Sequence, residues 1–270
     1  PVAAASAYAM RPPVDVSLRD LADTASWADK LGGESFGPGH VRLPDHASVT
    51  ELPGFAEGAW WVQDIAASCP ARLLGVGESR SVLDLCAAPG GKTMQLAAAG
   101  WQVTALDQSK KRLERLSENL SRTRLEAKIV QADLRQWEPA QRADAVLLDA
   151  PCTATGIYRR HPDVLHRIGS RQIAELAELQ AELLKRAAQW LKPGGTLIYA
   201  TCSLEKAEGE EQLEAFLRDN ADFSLRPAQQ SELPQGISPH GQGWLRTLPD
   251  TLADQGGADG FFVARLARAS

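Results

Sequence analysis

From residue 81 onward, short apolar runs alternate with longer amphipathic ones, and that alternation leaves few folds open. SVLDLC, QVTALD, AKIVQAD, ADAVLLDAP and GTLIYATCS each have the length and the Val, Leu and Ile content of a strand. Between them lie GGKTMQLAAAG, SKKRLERLSENLS and RQIAELAELQAELLKRAAQWL. The last carries Ile173, Leu176, Leu183, Leu184, Ala187 and Leu191 at helical spacing, and KPGG stops it. Ser109 is a natural N-cap for the second. GEEQLEAFLRDN adds a helix and GFFVARLA a last strand. Strands joined by helices must run largely parallel, so the expected fold is α/β, with a doubly wound sheet.

Residues 1–75 read differently, as a small α+β subdomain ahead of a catalytic domain over 76–270. Val14 to Leu18 alternates as a strand does, and TASWADKLGG is a short helix closed by Gly32 and Gly33. HVRLPD is a strand stopped by Pro44, and GAWWVQDIAASCPARLLG is a strand leading into a helix. Residues 227–258, rich in Pro, Gly, Gln and Ser, are expected to form long surface loops. The opening PVAAASAYAMRPP lacks the basic and apolar regions of a signal peptide, and no apolar run reaches membrane-spanning length. The expectation is a cytoplasmic, monomeric protein. The four cysteines, Cys69, Cys86, Cys152 and Cys202, form no CxxC pair and have no His at ligand spacing. They predict free thiols, with no metal and no disulfide framework.

The segment DLCAAPGGKT, residues 84–93, leaves the first strand of the sheet and opens a helix. Ligands of such sheets bind beyond the carboxyl ends of the strands. A glycine turn before a helix brings free N–H groups close to them. The spacing is not the GxGxxG of dinucleotide sites. Three acids at successive strand ends, Asp107, Asp133 and Asp149, discriminate further. Asp107 is placed to accept from two ribose hydroxyls and Asp133 from an adenine amino group. The candidate cofactor residues are therefore Cys86, Ala87, Ala88, Pro89, Gly90, Gly91, Lys92, Asp107, Asp133 and Asp149. Cys152 lies just past strand four and Cys202 at the end of strand five, so both overhang the same crevice if strands one, four and five are neighbours. Cys69 and Cys86 read as structural thiols. Lys92 either lowers a thiol pKa or stabilises the loop.

DLCAAPGGKT, DAPCTATG (149–156), ATCSL (200–204) and DGFFVARL (259–266) together resemble the RsmB/Sun (Fmu) family of bacterial RNA (16S rRNA) 5-methylcytosine methyltransferases. The resemblance spans about residues 14–266. It implies a Rossmann-like class I methyltransferase sheet, S-adenosylmethionine as cofactor and RNA, 16S rRNA in particular, as partner. It further implies that Cys202 is the nucleophile, that Cys152 aids release and that Asp149 hydrogen-bonds the cytosine edge. Thr153 stands where the family often has Ser, a departure that removes no chemistry. Members of this branch commonly carry an N-terminal helical RNA-binding domain, and none is visible in these residues. A transfer RNA substrate stays open.

The net charge of −5 does not by itself favour a polyanionic partner. The charge is uneven, however. KAEGEEQLEAFLRDNAD is acidic and reads as a solvated helix face, whereas YRRHPDVLHRIGSR, beside the expected site, carries four Arg and two His against Asp163. Arg159 and Arg160 are the candidate phosphate contacts, and Tyr158 a candidate stacking partner for a base. An amino-group methyltransferase would carry an [ND]PPY-like motif where this chain has DAPC. A non-catalytic RNA-binding scaffold would tolerate loss of either cysteine or of Asp149, and all are present.

Overall fold

The computed structural model describes residues 11–44 and 48–270; the reading of the first ten residues falls outside them. A three-stranded antiparallel sheet comes first. Strand β1 (Val14–Leu18) lies between β2 (His40–Leu43) and β3 (Trp60–Val62). Helix α1 (Thr24–Leu31) ends at Gly32 in the left-handed conformation, as the Gly-Gly pair predicts. Val16, Leu18, Leu31, Val41 and Trp60 make a small core of their own. Helix α2 (Ile65–Arg72), capped by the Asp64 side chain at 2.9 Å, buries Ile65, Ala66 and Cys69 in the larger core instead.

The main sheet has strand order β10-β11-β8-β7-β4-β5-β6, with β9 on β11. Strands β4 (Ser81–Leu85), β5 (Gln102–Asp107), β6 (Lys128–Gln131), β7 (Ala143–Asp149) and β8 (Leu191–Thr201) run parallel. Strands β9 (Phe223–Leu225), β10 (Leu245–Thr247) and β11 (Phe261–Arg268) form an antiparallel edge. The chain steps from β4 outward to β6, then returns to the other side of β4, so the switch point lies between β4 and β7. Strands β8, β7 and β4 are neighbours, as the thiol argument requires.

Helices α3 (Gly91–Ala98), α4 (Lys110–Thr123), α5 (Val164–Arg167), α6 (Ser170–Gln189) and α7 (Glu210–Asp219) complete the fold. In α4, Leu113, Leu116 and Leu120 are buried at three- and four-residue steps and Ser109 caps the start. Helix α6 buries Leu183, Leu184 and Ala187, but also Gln180, a polar side chain facing the site. Two expectations are corrected. KPGG follows the end of α6 but lies within β8, with a register shift where Ala143 and Ala145 face it. The 227–258 stretch is no mere surface loop, because Leu233, Ile237 and Trp244 are buried and β10 joins the sheet. Among the described residues, no helix is long and apolar enough to cross a membrane.

Candidate active site

Strand β4 ends at Leu85, and the next residues turn sharply. Cys86 is left-handed at φ 60°, the Ala88–Pro89 bond is cis, and Gly90 has φ 108°. A Cβ on Gly90 would stand 3.0 Å from Leu116, so glycine suits both its torsion and the approach of α4. Asp107, at the end of β5, holds this loop. Its carboxylate accepts from the Ala88 N–H at 3.2 Å and the Ser109 N–H at 2.9 Å, and Arg112 lies 3.3 Å away.

Asp107, Asp133 and Asp149 border one cavity of about 520 Å³, together with Cys86, Cys152 and Cys202. Asp133 is half-exposed there; hydrogen bonds from the Arg135 side chain and backbone hold its carboxyl below the usual range. Three carboxylates around one cavity suit a cationic nucleoside whose ribose hydroxyls and adenine amino group are donors. Beneath the loop, Asp84 is fully buried and takes the Thr93 hydroxyl at 2.5 Å. Its other oxygen, Oδ1, has no hydrogen-bond partner among the described residues. Burial pushes its carboxyl up to about 7 against the pull of Thr93 and Lys92. The residues present therefore fit S-adenosylmethionine. Among the described residues, no group of His, Cys, Asp and Glu is arranged to hold a metal ion.

A second cavity, about 320 Å³, opens on the other side of the loop and is bordered by Ala87, Pro89, Gly91, Lys92, Asp64 and Phe261 among others. Lys92 borders this second cavity, with its ammonium 2.8 Å from the Asp149 carboxylate and 5.1 Å from the Phe261 ring. Burial works to discharge Lys92. The charge and hydrogen bond of Asp149, with Asp84 and Cys202 nearby, outweigh it and hold the pKa above its ordinary value. The Cys152 and Cys202 sulfurs are 3.4 Å apart. The hydrogen bond to Cys202, then burial, raises the Cys152 thiol well above its usual pKa. Cys86 is also raised by burial, and Cys69, fully buried, is pushed up to about 12. Among the described residues, Asp149 and Cys202 alone border both cavities.

Residues 71–267 match the family model for the 16S rRNA methyltransferases RsmB/F. The chain belongs to this family. It is 45% identical over 234 residues to ribosomal RNA small subunit methyltransferase B of Salmonella arizonae, covering 85% of this chain and 52% of that protein. The same-named protein of Shewanella oneidensis is 43% identical over 235 residues, covering 85% and 53%. The chain thus spans about half the length of the curated relatives it matches. Among solved structures, a methyltransferase homolog protein from Pyrococcus horikoshii superposes with TM-score 0.81 at 28% identity, covering 99% of this chain and 90% of that one. NSun6 from Pyrococcus horikoshii, solved with SFG, gives 0.71 at 28% identity, covering 86% and 58%.

Two of the family's motifs gain a physical reason here. Gly156 of DAPCTATG packs against the Cys202 turn and the start of β11; a Cβ there would lie 2.0 Å from the Gly260 carbonyl. Its N–H donates to the Cys202 carbonyl at 2.9 Å. Asp259 of DGFFVARL binds Arg160 at 3.1 Å and Arg159 at 3.3 Å. Asp64 completes that cluster, 2.9 Å from Arg160. Arg159 is buried and also donates to the Gly256 carbonyl, and Arg160 donates to that of Pro13. The Arg159 guanidinium, expected to hold phosphate, is enclosed by protein in this structure. Arg160, half-buried, is engaged by the same two acids. Tyr158 is buried as well, so it is not poised to stack on an incoming base.

The acidic run after Cys202 also differs from expectation. Glu208 is fully buried, and Glu210 is paired with Arg246. Sequence reasoning passed over Glu208, Asp84 and Gln180. The signal for Asp84 was present in DLCAAPGGKT, since an acid inside an otherwise apolar strand needs a partner. No comparable signal marked Glu208 within its acidic run.

Proposed function

We propose that this chain transfers a methyl group from S-adenosylmethionine to carbon 5 of a cytosine in RNA, with Cys202 as nucleophile and 16S rRNA as substrate. The observation that carries this reading is that Asp149 and Cys202 border both cavities. The nucleoside end of the cofactor fits beside Asp107 and Asp133, and the target base, flipped out of its stack, reaches Cys202 through the second cavity. The small-subunit RNA named for the curated relatives favours 16S rRNA.

The bound cofactor supplies an electrophilic methyl group on a sulfonium. Carbon 5 of cytosine is too weak a nucleophile to take it unaided. The Cys202 thiolate forms a bond to carbon 6, and the electron pair of the 5,6 double bond moves toward N3, leaving carbon 5 enamine-like. Asp149, oriented by Lys92, hydrogen-bonds the N3/N4 edge and stabilises that redistribution. After methylation, a solvent water accepts the carbon-5 proton, the electron pair of that C–H bond re-forms the 5,6 double bond, and the Cys202–carbon 6 bond breaks with its pair leaving on the thiolate. Cys152, held as a thiol 3.4 Å from Cys202, assists that release.

Incubation with 16S rRNA and methyl-labelled cofactor, followed by nucleoside mass spectrometry and bisulfite sequencing, tests the reading. The expected product is 5-methylcytidine. Methylation of an amino group or a ribose hydroxyl instead would overturn it.

A further inference from the structure

One buried carboxylate binds the residue that follows each of the two cysteines in the site. Thr153 comes directly after Cys152, and Ser203 directly after Cys202. Glu208 accepts the Thr153 N–H at 2.9 Å, the Thr153 hydroxyl and the Ser203 hydroxyl. A fourth donor, the Gln180 amide, lies 2.8 Å away and also donates to the carbonyl of Pro151 at 2.9 Å, just before Cys152. The peptide carbonyl of Glu208 receives the Tyr199 hydroxyl at 2.8 Å and the Thr201 hydroxyl at 3.2 Å, both from β8. A carboxylate with no exposure is tolerated only when its acceptor sites are filled, and all four donors come from the segments that carry the thiols or from α6 behind them.

We propose that Glu208 is a positioning residue for the two-thiol site. It locks the turn after β7 to the turn after β8, and so fixes the facing of Cys152 and Cys202. The carboxylate is the shared acceptor; each thiol turn supplies a hydroxyl, and the Cys152 turn adds a backbone N–H. Glu208 lines neither cavity and touches no reacting atom, so it acts through its neighbours. The inference rests on the proposal that both thiols do chemistry, although the facing of the thiols can be measured without it.

The test uses the full chain carrying Glu208→Ala or Glu208→Gln, held well below its melting temperature. In the RNA-free protein, an azodicarboxamide oxidant takes two electrons and two protons from the two thiols. It becomes the hydrazine as the Cys152–Cys202 disulfide forms, and peptide mass spectrometry follows the rate. Glu208→Ala is expected to slow this disulfide by about tenfold or more. It should also lower kcat for methyl transfer by ~10–100-fold, with KM for RNA and cofactor affinity held within about twofold. Glutamine keeps a carbonyl for the Thr153 N–H and Gln180, and its amide donates to the two hydroxyls. It is therefore expected to restore both rates to within about threefold of the parent. A Glu208→Ala protein that melts lower yet keeps the parental disulfide rate and kcat would overturn the proposal, because its role would then be stability alone. If the alanine variant does not fold, Ser203→Ala removes one arm of the clamp: a slower disulfide supports the proposal and an unchanged one overturns it. A slowed disulfide alongside intact methyl transfer by Cys202→Ala would leave the clamp standing and refute the thiol chemistry.

Discussion

Two cavities meet at Asp149 and Cys202: Asp107, Asp133 and Cys152 border the larger, and Lys92, Asp64 and Phe261 border the smaller. The larger side is walled by residues at the ends of β5, β6 and β7, with the carboxylates of Asp107, Asp133 and Asp149 around it. The smaller side joins the N-terminal subdomain to the main sheet, through Asp64, Arg160 and Asp259. Two cysteines with sulfurs 3.4 Å apart thereby differ in reach, because Cys152 opens on one side and Cys202 on both. Proximity alone does not assign their roles. The proposed assignment rests on access, and substitutions on the two sides should separate cofactor binding from base chemistry.

The largest effect is expected where the sides meet. Cys202→Ala should lower methyl transfer by ~10⁴-fold or more, the scale of losing a covalent nucleophile, while a calorimetric titration finds cofactor affinity nearly unchanged. Next comes Lys92→Met, which leaves Asp149 without its counterion. Single-turnover rates should drop by about 10–100-fold, on the order of 1.4–2.7 kcal/mol. A loss confined to cofactor affinity would instead put Lys92 on the nucleoside side. Asp107→Ala tests that side, where weaker cofactor binding by about 2 kcal/mol is expected, with the disulfide rate of the two thiols unmoved. Unchanged affinity would remove Asp107 from the site.

The smallest effect on turnover, and a distinct one on stability, is expected from Asp84→Asn. The Asp84 carboxyl titrates near 7 when folded and at its ordinary 3.8 when unfolded. Between those values the folded state binds more protons, so this group's contribution to stability falls as pH rises through the window. The asparagine variant lacks that penalty. Its stability relative to the parent should therefore grow between pH 5 and pH 8 by roughly 1 kcal/mol or more. Parallel denaturation curves at the two pH values would contradict the buried-acid account.

What could be read from the sequence was whatever the chain specifies locally. Hydrophobic period placed β4, β7 and β8, and strand ends placed Asp107, Asp149, Cys152 and Cys202 around one crevice. What could not be read depended on distant partners. Arg159 and Arg160 form a basic pair beside the site, but their acids, Asp259 and Asp64, stand 100 and 96 residues away in the chain. Glu208 sits in an acidic run that looks solvated, and only the folded turns bring Thr153 to it, 55 residues apart. A charge's sign and local density do not reveal whether it faces water or a counter-charge from another element.

The most direct test of the account is a denaturing gel of Cys152→Ala and Cys202→Ala proteins incubated with RNA and cofactor. If Cys202 attacks carbon 6 and Cys152 acts in release, methyl transfer still occurs in Cys152→Ala but elimination stalls. A protein–RNA adduct should then accumulate that survives denaturation, and Cys202→Ala should give none. An adduct trapped by Cys202→Ala and absent from Cys152→Ala would exchange the two roles and contradict the assignment by access.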